Sequence, residues 1–438
     1  MTFFFTSLFI VLVFWRPQEW LFPWLYNWNI LDGVVFMSLL TLVLEANQKR
    51  IRFFRGMPQP YLLAGLWFAA VCSHIAHTYW EGMMWTIPDM FKICFFTFLL
   101  FCVLNSPSRL RAVAAMFVVM SCVMAVHALM QERLGSGFGG LRPMYVPAWG
   151  DRPAQFRSYF FGIFGDPNDL AQILATSIPF TFVLTRRRSF WGFLLGCTLS
   201  ALLILGILAT HSRGGLVALL VVAAVVATLF LPARWLGLSL LTFAIIALIL
   251  CPFSARYLDE SAHDRVIFWG QANWAFKENL FFGVGYQMFT EYIEKSRASH
   301  NAFVMCYTEL GLFGYWFWFI LLQLGVVGAW RTMLALKKSK TETVDHAWLR
   351  RFSGLAMAAM AGFCVSSYFL SRAFIFPLFF LFAILGVLPF VARDFLPEDH
   401  PPLIEVRRDV FIFGTAGTLL SVAYIYFSII LLNKAWGG

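Results

Sequence analysis

Residues 190–231 read FWGFLLGCTLSALLILGILATHSRGGLVALLVVAAVVATLFL, an apolar run whose one charged residue, Arg213, lies midway in the polar turn Thr210-His211-Ser212-Arg213-Gly214-Gly215. A membrane-spanning helix takes roughly 20 residues, so the run is about twice as long as one crossing needs. Each half is uniformly apolar, without the in-out alternation of a barrel strand. In lipid, helices satisfy every backbone N–H and C=O without closing a sheet. The run therefore reads as a helical hairpin whose polar turn sits at one membrane face.

The rest of the chain follows the same pattern. Of 438 residues, 60% are hydrophobic and only 13% charged, against about 25% charged in soluble domains. Apolar runs predict helical spans near 2–15, 30–46, 60–78, 89–105, 112–131, 165–185, 190–209, 214–231, 236–252, 302–330, 353–371, 374–392 and 410–432. The expected fold is all-α: a single integral membrane domain over 1–438 with about 12–13 spans. The first run, Thr2 to Phe14, has no basic stretch before it and no small-residue cleavage site, so it reads as a retained span. Eight cysteines fall mostly inside apolar runs and none forms a CxxC pair, which gives no support to a zinc site or a disulfide framework.

The net charge of +10 comes with basic residues gathered in short loops: Lys49, Arg50, Arg52 and Arg55; Arg109 and Arg111; Arg186, Arg187 and Arg188; Arg234; Arg331, Lys337, Lys338, Lys340, Arg350 and Arg351; Arg393, Arg407 and Arg408. Alternating spans put these on one side. The positive-inside rule makes that side cytoplasmic, with membrane lipids rather than nucleic acid as the partner of the charge. Two long loops are expected on the opposite, external side, at 132–163 and 252–301, the second carrying short amphipathic helices. The parity of the spans puts Arg213, Arg265 and His300 on that face together.

Four segments interrupt the apolar pattern with chemistry-bearing groups. In the first, His211-Ser212-Arg213-Gly214-Gly215, the glycines suit a tight turn or a close backbone approach; taken alone, Arg213 also reads as a snorkelling turn arginine. The second starts at Ser261-Ala262-His263-Asp264-Arg265 and reads as a helix start. Arg265 would lie near the anion-attracting N-terminus of an amphipathic helix along the membrane surface, as phosphate ligand or headgroup anchor. The third is Ser299-His300-Asn301, with Ser299 as expected N-cap and His300 opening the next span. The positive helix end disfavours an added proton on His300, and a neutral imidazole is a competent general base. The fourth, Arg157 to Asp169, offers Asp166 as cap, Pro167 in the first turn and Arg157 as a phosphate or sugar contact.

Together these segments resemble the O-antigen ligase family, within the superfamily that also holds Wzy-type polymerases. The resemblance rests on Arg157 through Asn168, on Ser212-Arg213-Gly214-Gly215, on Arg265 with Gly283-Val284-Gly285, and on His300-Asn301 with Glu309-x-Gly311-x-x-Gly314. It covers about 157–314; the flanking spans match only as apolar helices. It implies a membrane glycosyltransferase whose donor is a glycan on undecaprenyl diphosphate. The acceptor is commonly the lipid A–core oligosaccharide; transfer to a growing glycan or to a protein hydroxyl stays open. It implies His300 as catalytic base and Arg213 and Arg265 as diphosphate ligands, with Arg157, Ser212 and Asn301 as secondary candidates. Arg372, beyond the stretch of resemblance and between two spans on the external side, is a further secondary candidate, as contact to a second phosphate or as a snorkelling arginine. No cofactor and no metal are expected, and neither GxxxxGK[ST] nor HExxH occurs in the chain.

Other polar residues read as structural. Gly135-Ser136-Gly137-Phe138-Gly139-Gly140 lacks a preceding strand and reads as a flexible loop. His74 and His77 suit helix packing, and Glu309 suits either function or helix bending. The rival outside enzymes is a transporter or flippase of lipid-linked glycans. Against it, the sequence has no repeated halves and no mid-membrane charge cluster.

Overall fold

Polar side chains cap six of the helices at their starts, and the chain between is apolar enough to run on. A computed structural model describes residues 1–48, 56–148, 153–185, 189–231, 260–293, 298–339 and 343–436. The helices run in order as α1 (Thr2–Phe14), α2 (Ile30–Asn47), α3 (Gln59–Ile75), α4 (Trp80–Val103), α5 (Pro107–Leu134), α6 (Pro167–Thr181) and α7 (Phe190–Ala209). They continue as α8 (Arg213–Phe230), α9 (Glu260–Glu278), α10 (Ala302–Lys338), α11 (Val344–Ser367), α12 (Phe376–Val391) and α13 (Phe413–Trp436). The side chains of Ser106, Asp166, Ser189, Ser212, Asn301 and Thr343 each accept a first-turn amide at the start of α5, α6, α7, α8, α10 and α11.

The protein is an all-α polytopic membrane protein. Eight helices among the described residues are long and apolar enough to cross a bilayer. Large apolar side chains such as Phe68, Val119, Leu205 and Leu420 stand exposed on the outside of the bundle, where lipid is the solvent that favours them. Every expected span falls on a helix except 236–252, which lies outside the described residues.

The polar residues of the spans turn inward. The centre of the bundle is α6, α10, α11 and α12, and nearly every residue of α6 and α12 is buried. On α6, Gln172 donates to Ser366 and Ser367 of α11 at 2.9 and 2.8 Å; Ser177 meets Ser121 of α5 at 2.6 Å and Thr181 meets Ser200 of α7 at 2.9 Å. Such pairs hold membrane helices together because lipid gives a hydroxyl or amide no other partner.

Contacts sort the bundle into two ends. At one, Arg111 pairs with Asp345 at 3.3 Å, Arg331 with Asp409 at 2.7 Å, and Arg351 donates to the Thr185 carbonyl at 2.7 Å. At the other, Arg157 donates to the Thr210 carbonyl at 2.9 Å, His77 donates to the Gly283 carbonyl at 2.7 Å, and Ser371 accepts the His300 amide at 2.7 Å. Basic residues of the expected cytoplasmic set lie at the first end, and the candidate site lies at the second.

Two local expectations are corrected. The segment between α5 and α6 carries an antiparallel hairpin, β1 (Met144–Val146) on β2 (Gln155–Arg157), with Tyr145 opposite Phe156. The glycine-rich stretch in it is built rather than loose: Gly135 ends α5 in a left-handed conformation, Phe138 stacks on Trp20 at 4.9 Å, and the Phe138 amide donates to His127 Nδ1 at 2.9 Å. Glycine there supplies positive φ that other residues resist.

Candidate functional site

The turn that joins α7 to α8 is where the first motif folds. After Ala209 the chain passes Thr210 and His211, and Ser212 caps α8 by accepting the Gly215 amide at 3.2 Å. His211, not a glycine, takes the left-handed φ of 49°. Gly214 and Gly215 lie inside the first turn of α8, and at Gly215 smallness serves packing. A Cβ on Gly215 would sit 2.5 Å from the Cβ of Ala171 on α6, so only glycine lets the two helices approach this closely. Arg213 opens α8, exposed, with no hydrogen bond or ion pair to any described residue.

Asn168, at the start of α6, ties this turn to its neighbours. Its Oδ1 accepts from Ser212 Oγ at 2.8 Å and from Arg157 Nη2 at 2.9 Å, while Arg157 Nε reaches the Thr210 carbonyl. Arg157 thus uses its planar fork to hold the Arg213 turn. The next residue, Asp169, is buried and takes Arg372 in a two-pronged pair, with Arg372 Nε 2.7 Å from Oδ1 and Nη2 on Oδ2. This carboxylate raises the Arg372 pKa above its ordinary value. Sequence reading named Arg372 but missed Asp169, because two residues 203 apart in the chain give no local signal of pairing.

Ser371, beside Arg372, leads to the histidine. Its Oγ accepts the His300 amide and lies 3.1 Å from Ser299 Oγ. Asn301, not Ser299, is the N-cap of α10: its Oδ1 accepts from the Phe303 and Val304 amides at 3.0 and 3.2 Å. Ser299 instead closes a small turn, bonding the Asn301 amide and carbonyl at 3.2 and 2.9 Å. His300 therefore precedes the cap, half-buried, in a left-handed conformation with φ 49°. Such a φ costs a non-glycine residue about 1–2 kcal/mol, and strain of this kind persists where surrounding structure imposes it. Among the described residues, the non-glycine residues with positive φ are Arg16, Thr78, His211, Gln287 and His300, all in loops at this end of the bundle.

Arg265 joins through α9. Trp269 Nε1 donates to the Ser299 carbonyl at 2.7 Å, and Arg265 is one turn earlier on the same helix face. Here the structure again differs from the sequence reading. α9 already runs from Glu260, so Arg265 lies past the first turn instead of at the helix N-terminus. Nor does α9 lie flat: Asn273 donates to the Tyr426 carbonyl and Asn433 to the Val266 carbonyl, so it runs antiparallel to α13. Val266, Phe268, Trp269, Ala272 and Phe276 are buried against the bundle. The apolar face that suggested a surface helix is covered by protein.

The third motif pair explains itself in space. α10 breaks at Gly311, with φ 62° and ψ −168°. The Thr308 and Glu309 carbonyls accept the Val284 and Gly285 amides at 2.9 and 3.0 Å, and the Leu312 and Phe313 amides donate to the Leu280 and Phe281 carbonyls at 2.8 and 3.0 Å. A Cβ on Gly283 would strike the backbone of 309 and 311; one on Gly311 would strike that of 281 and 283. Gly283-x-Gly285 and Gly311 are thus two halves of one interlock, and irregular backbone is tolerated because protein covers it. Glu309 is buried beside it with Oε1 3.4 Å from the Phe289 amide. The bend belongs to Gly311, not to the carboxylate. His77, past the end of α3, anchors the same loop through the Gly283 carbonyl, while His74 packs between Tyr79 and Trp85.

The structure thus brings Arg157, Ser212, Arg213, Asn301, His300, Arg372 and the Arg265 face of α9 to one end of one bundle. An unbroken path leads from Ser212 through Asn168, Asp169, Arg372, Ser371 and Ser299 to Trp269. Fold and site define a multi-pass membrane protein with a cationic, histidine-bearing polar cluster at one end. Residues 198–319 match the O-antigen ligase family model, a stretch that contains Arg213, Arg265, His300 and the glycine interlock. The resemblance read from the motifs is borne out over that stretch, which leaves out Arg157 to Asn168. The match points to a glycosyltransferase-like enzyme of the ligase and polymerase kind, with glycan or lipid-linked substrates. No curated protein matches the chain.

Proposed function

We propose that this protein transfers a glycan from undecaprenyl diphosphate to an acceptor hydroxyl at the periplasmic face of the bacterial inner membrane, with lipid A–core oligosaccharide as the acceptor. His300 takes the proton from the acceptor hydroxyl as its oxygen attacks the anomeric carbon. The bond from that carbon to the phosphate oxygen breaks, and undecaprenyl diphosphate leaves with the electron pair. One displacement inverts the anomeric configuration. Arg213 and Arg265 hold the diphosphate, where a guanidinium offers two parallel hydrogen bonds and a charge that persists at any physiological pH. Charge grows on the leaving group in the transition state, so the same arginines act electrostatically. The energy comes from the phospho-glycosyl bond.

The observation that carries this reading is Arg213 standing exposed and without a partner among the described residues, next to a turn held by Asn168 and Arg157. A structural arginine at such a turn would be expected to bond its own scaffold. An arginine kept open beside a fixed backbone suits an anionic ligand.

The test uses purified full-length protein in detergent, with an undecaprenyl-diphosphate-linked glycan and a core-oligosaccharide acceptor, and no ion gradient or ATP. Glycosylated acceptor is expected. His300→Ala is expected to lower the rate by about 10²–10⁴-fold, and Arg213→Ala by about 10²-fold. Unchanged rates in these variants would remove the assigned roles. Longer lipid-linked glycans from donor alone would replace the acceptor with a second donor, as in a polymerase. Absence of any product by protein that moves donor across a bilayer would favour a transporter.

A further inference from the structure

The lipid-facing helices differ in how much of their length is free of charge. On α5, Arg111 and Glu132 bound a charge-free stretch of about 32 Å at 1.5 Å per residue. α7 carries no charged residue along its 20 residues, about 30 Å. Both match the roughly 30 Å hydrocarbon core of a bilayer. α2 is shorter: Asp32 and Glu45 bound its charge-free part, about 20 Å. On α4 the run after Lys92 ends at Val103, about 17 Å on. Arg109 marks that end by donating to the Val103 carbonyl at 3.0 Å.

α2 and α4 form one flank. Both start at the site end, where Trp20 stacks on Phe138 and His77 meets the Gly283 carbonyl. Leu42 of α2 packs with Leu99 and Cys102 of α4. Counted from that cluster toward the site end, Asp32 and Lys92 stand at nearly one level, about 10–15 Å away. Both are exposed, and neither has a hydrogen bond or ion pair to any described residue. Asp89, one turn before Lys92, accepts from Tyr286 Oη and Gln287 Nε2, each at 3.1 Å, so the loop after Gly285 covers α4 there. Just before α2, Phe22, Trp24, Tyr26 and Trp28 stand exposed in a stretch without charge from Trp20 to Leu31.

We propose that the α2–α4 flank holds the bilayer at reduced thickness, about 20 Å of hydrocarbon against about 30 Å elsewhere, by drawing the headgroups of the site-side leaflet down to Asp32 and Lys92. Below that level Phe36, Leu40, Val43 and Leu44 of α2 are exposed, so the flank is covered by acyl chains. A bilayer of full thickness would set both charges about 10 Å inside hydrocarbon, where a charge is costly. Lys92 can snorkel outward, but the Asp32 side chain is too short to do so. Deforming the bilayer costs less per ångström than submerging a carboxylate. The exposed Trp and Tyr rings ahead of α2 are the residue types that gather at headgroups, and they stand just above Asp32. The inference is independent of the proposed reaction.

The experiment images the full chain by cryo-electron microscopy in nanodiscs of dioleoyl phosphatidylcholine, a lipid without net charge. The headgroup-to-headgroup distance is read around the bundle. Beside α2 and α4 it is expected to be about 10 Å shorter than beside α5 and α7, with the step in the site-side leaflet. Asp32→Leu extends the charge-free part of α2 and is expected to remove most of the step beside α2. Uniform thickness around the parent protein would overturn the proposal, whether or not the variant folds. So would a step beside α2 that is unchanged in Asp32→Leu, or a second copy of the chain packed on this flank in place of lipid.

Discussion

Removing Arg372 tests whether it scaffolds the site or serves as a free phosphate ligand. Its guanidinium lies against Asp169 in a two-pronged pair; the Asp169 side chain is 3% exposed and that of Arg372 38% exposed. In Arg372→Ala the carboxylate stays buried without its cation. Breaking a fully buried pair from one side costs about 3–5 kcal/mol. Water already reaches the Arg372 side of this pair and screens it, so about 2–3 kcal/mol is expected. Replacing the carboxylate as well, in Asp169→Asn with Arg372→Ala, removes the stranded charge and should restore more than half of the loss. The assay is equilibrium unfolding of the purified protein in mixed detergent micelles, with the two single variants and the double variant completing a cycle. The reasoning fails if Arg372→Ala is as stable as the parent, or if the double variant is no more stable than Arg372→Ala.

Three further outcomes follow from the geometry. Gly215→Ala pushes a methyl into Ala171 and should destabilise the α6–α8 contact by about 1–3 kcal/mol, measured in the same unfolding assay. Asn168→Ala leaves Arg157 and Ser212 without their shared acceptor and should cost about 1–3 kcal/mol; it should also weaken donor use, while Asn168→Asp, which keeps the acceptor oxygen, should recover much of both. Gly311→Ala has no room for its Cβ and the wrong φ for an L side chain, so the yield of folded protein should collapse, seen as loss of a monodisperse peak in size-exclusion chromatography.

Much of this was legible in the chain. Apolar length alone gave the helical spans, because lipid leaves the backbone no other way to satisfy its bonds. The same argument placed Ser212-Arg213 at a turn, since a run like 190–231 has to fold back. Asp166 announced itself as a cap through Pro167 after it. Where the reading slipped, the cause was local ambiguity. Ser299 and Asn301 are both good caps, and Ser371, 71 residues away, decides between them by taking the His300 amide. Ser261 to Arg265 resembled a helix start, although α9 had already begun at Glu260. The apolar face of α9 suggested a surface helix, and no local pattern signalled that α13, whose Tyr426 and Asn433 bond it, would cover that face.

The sequence by itself determined that the chain is a bundle of membrane helices, that its polar turns gather at one end, and which residues could do chemistry there. Those properties follow from composition and period, which act over one or two helical turns. Only the tertiary structure decided which arginine stays open and which are spent: Arg372 on Asp169, Arg157 on Asn168 and Thr210, with Arg213 left exposed. It also decided why Gly283 and Gly311 are glycines, by laying the backbone of 280–285 against the break in α10. Pairings of that kind depend on distances between residues far apart in the chain, and no local pattern encodes them.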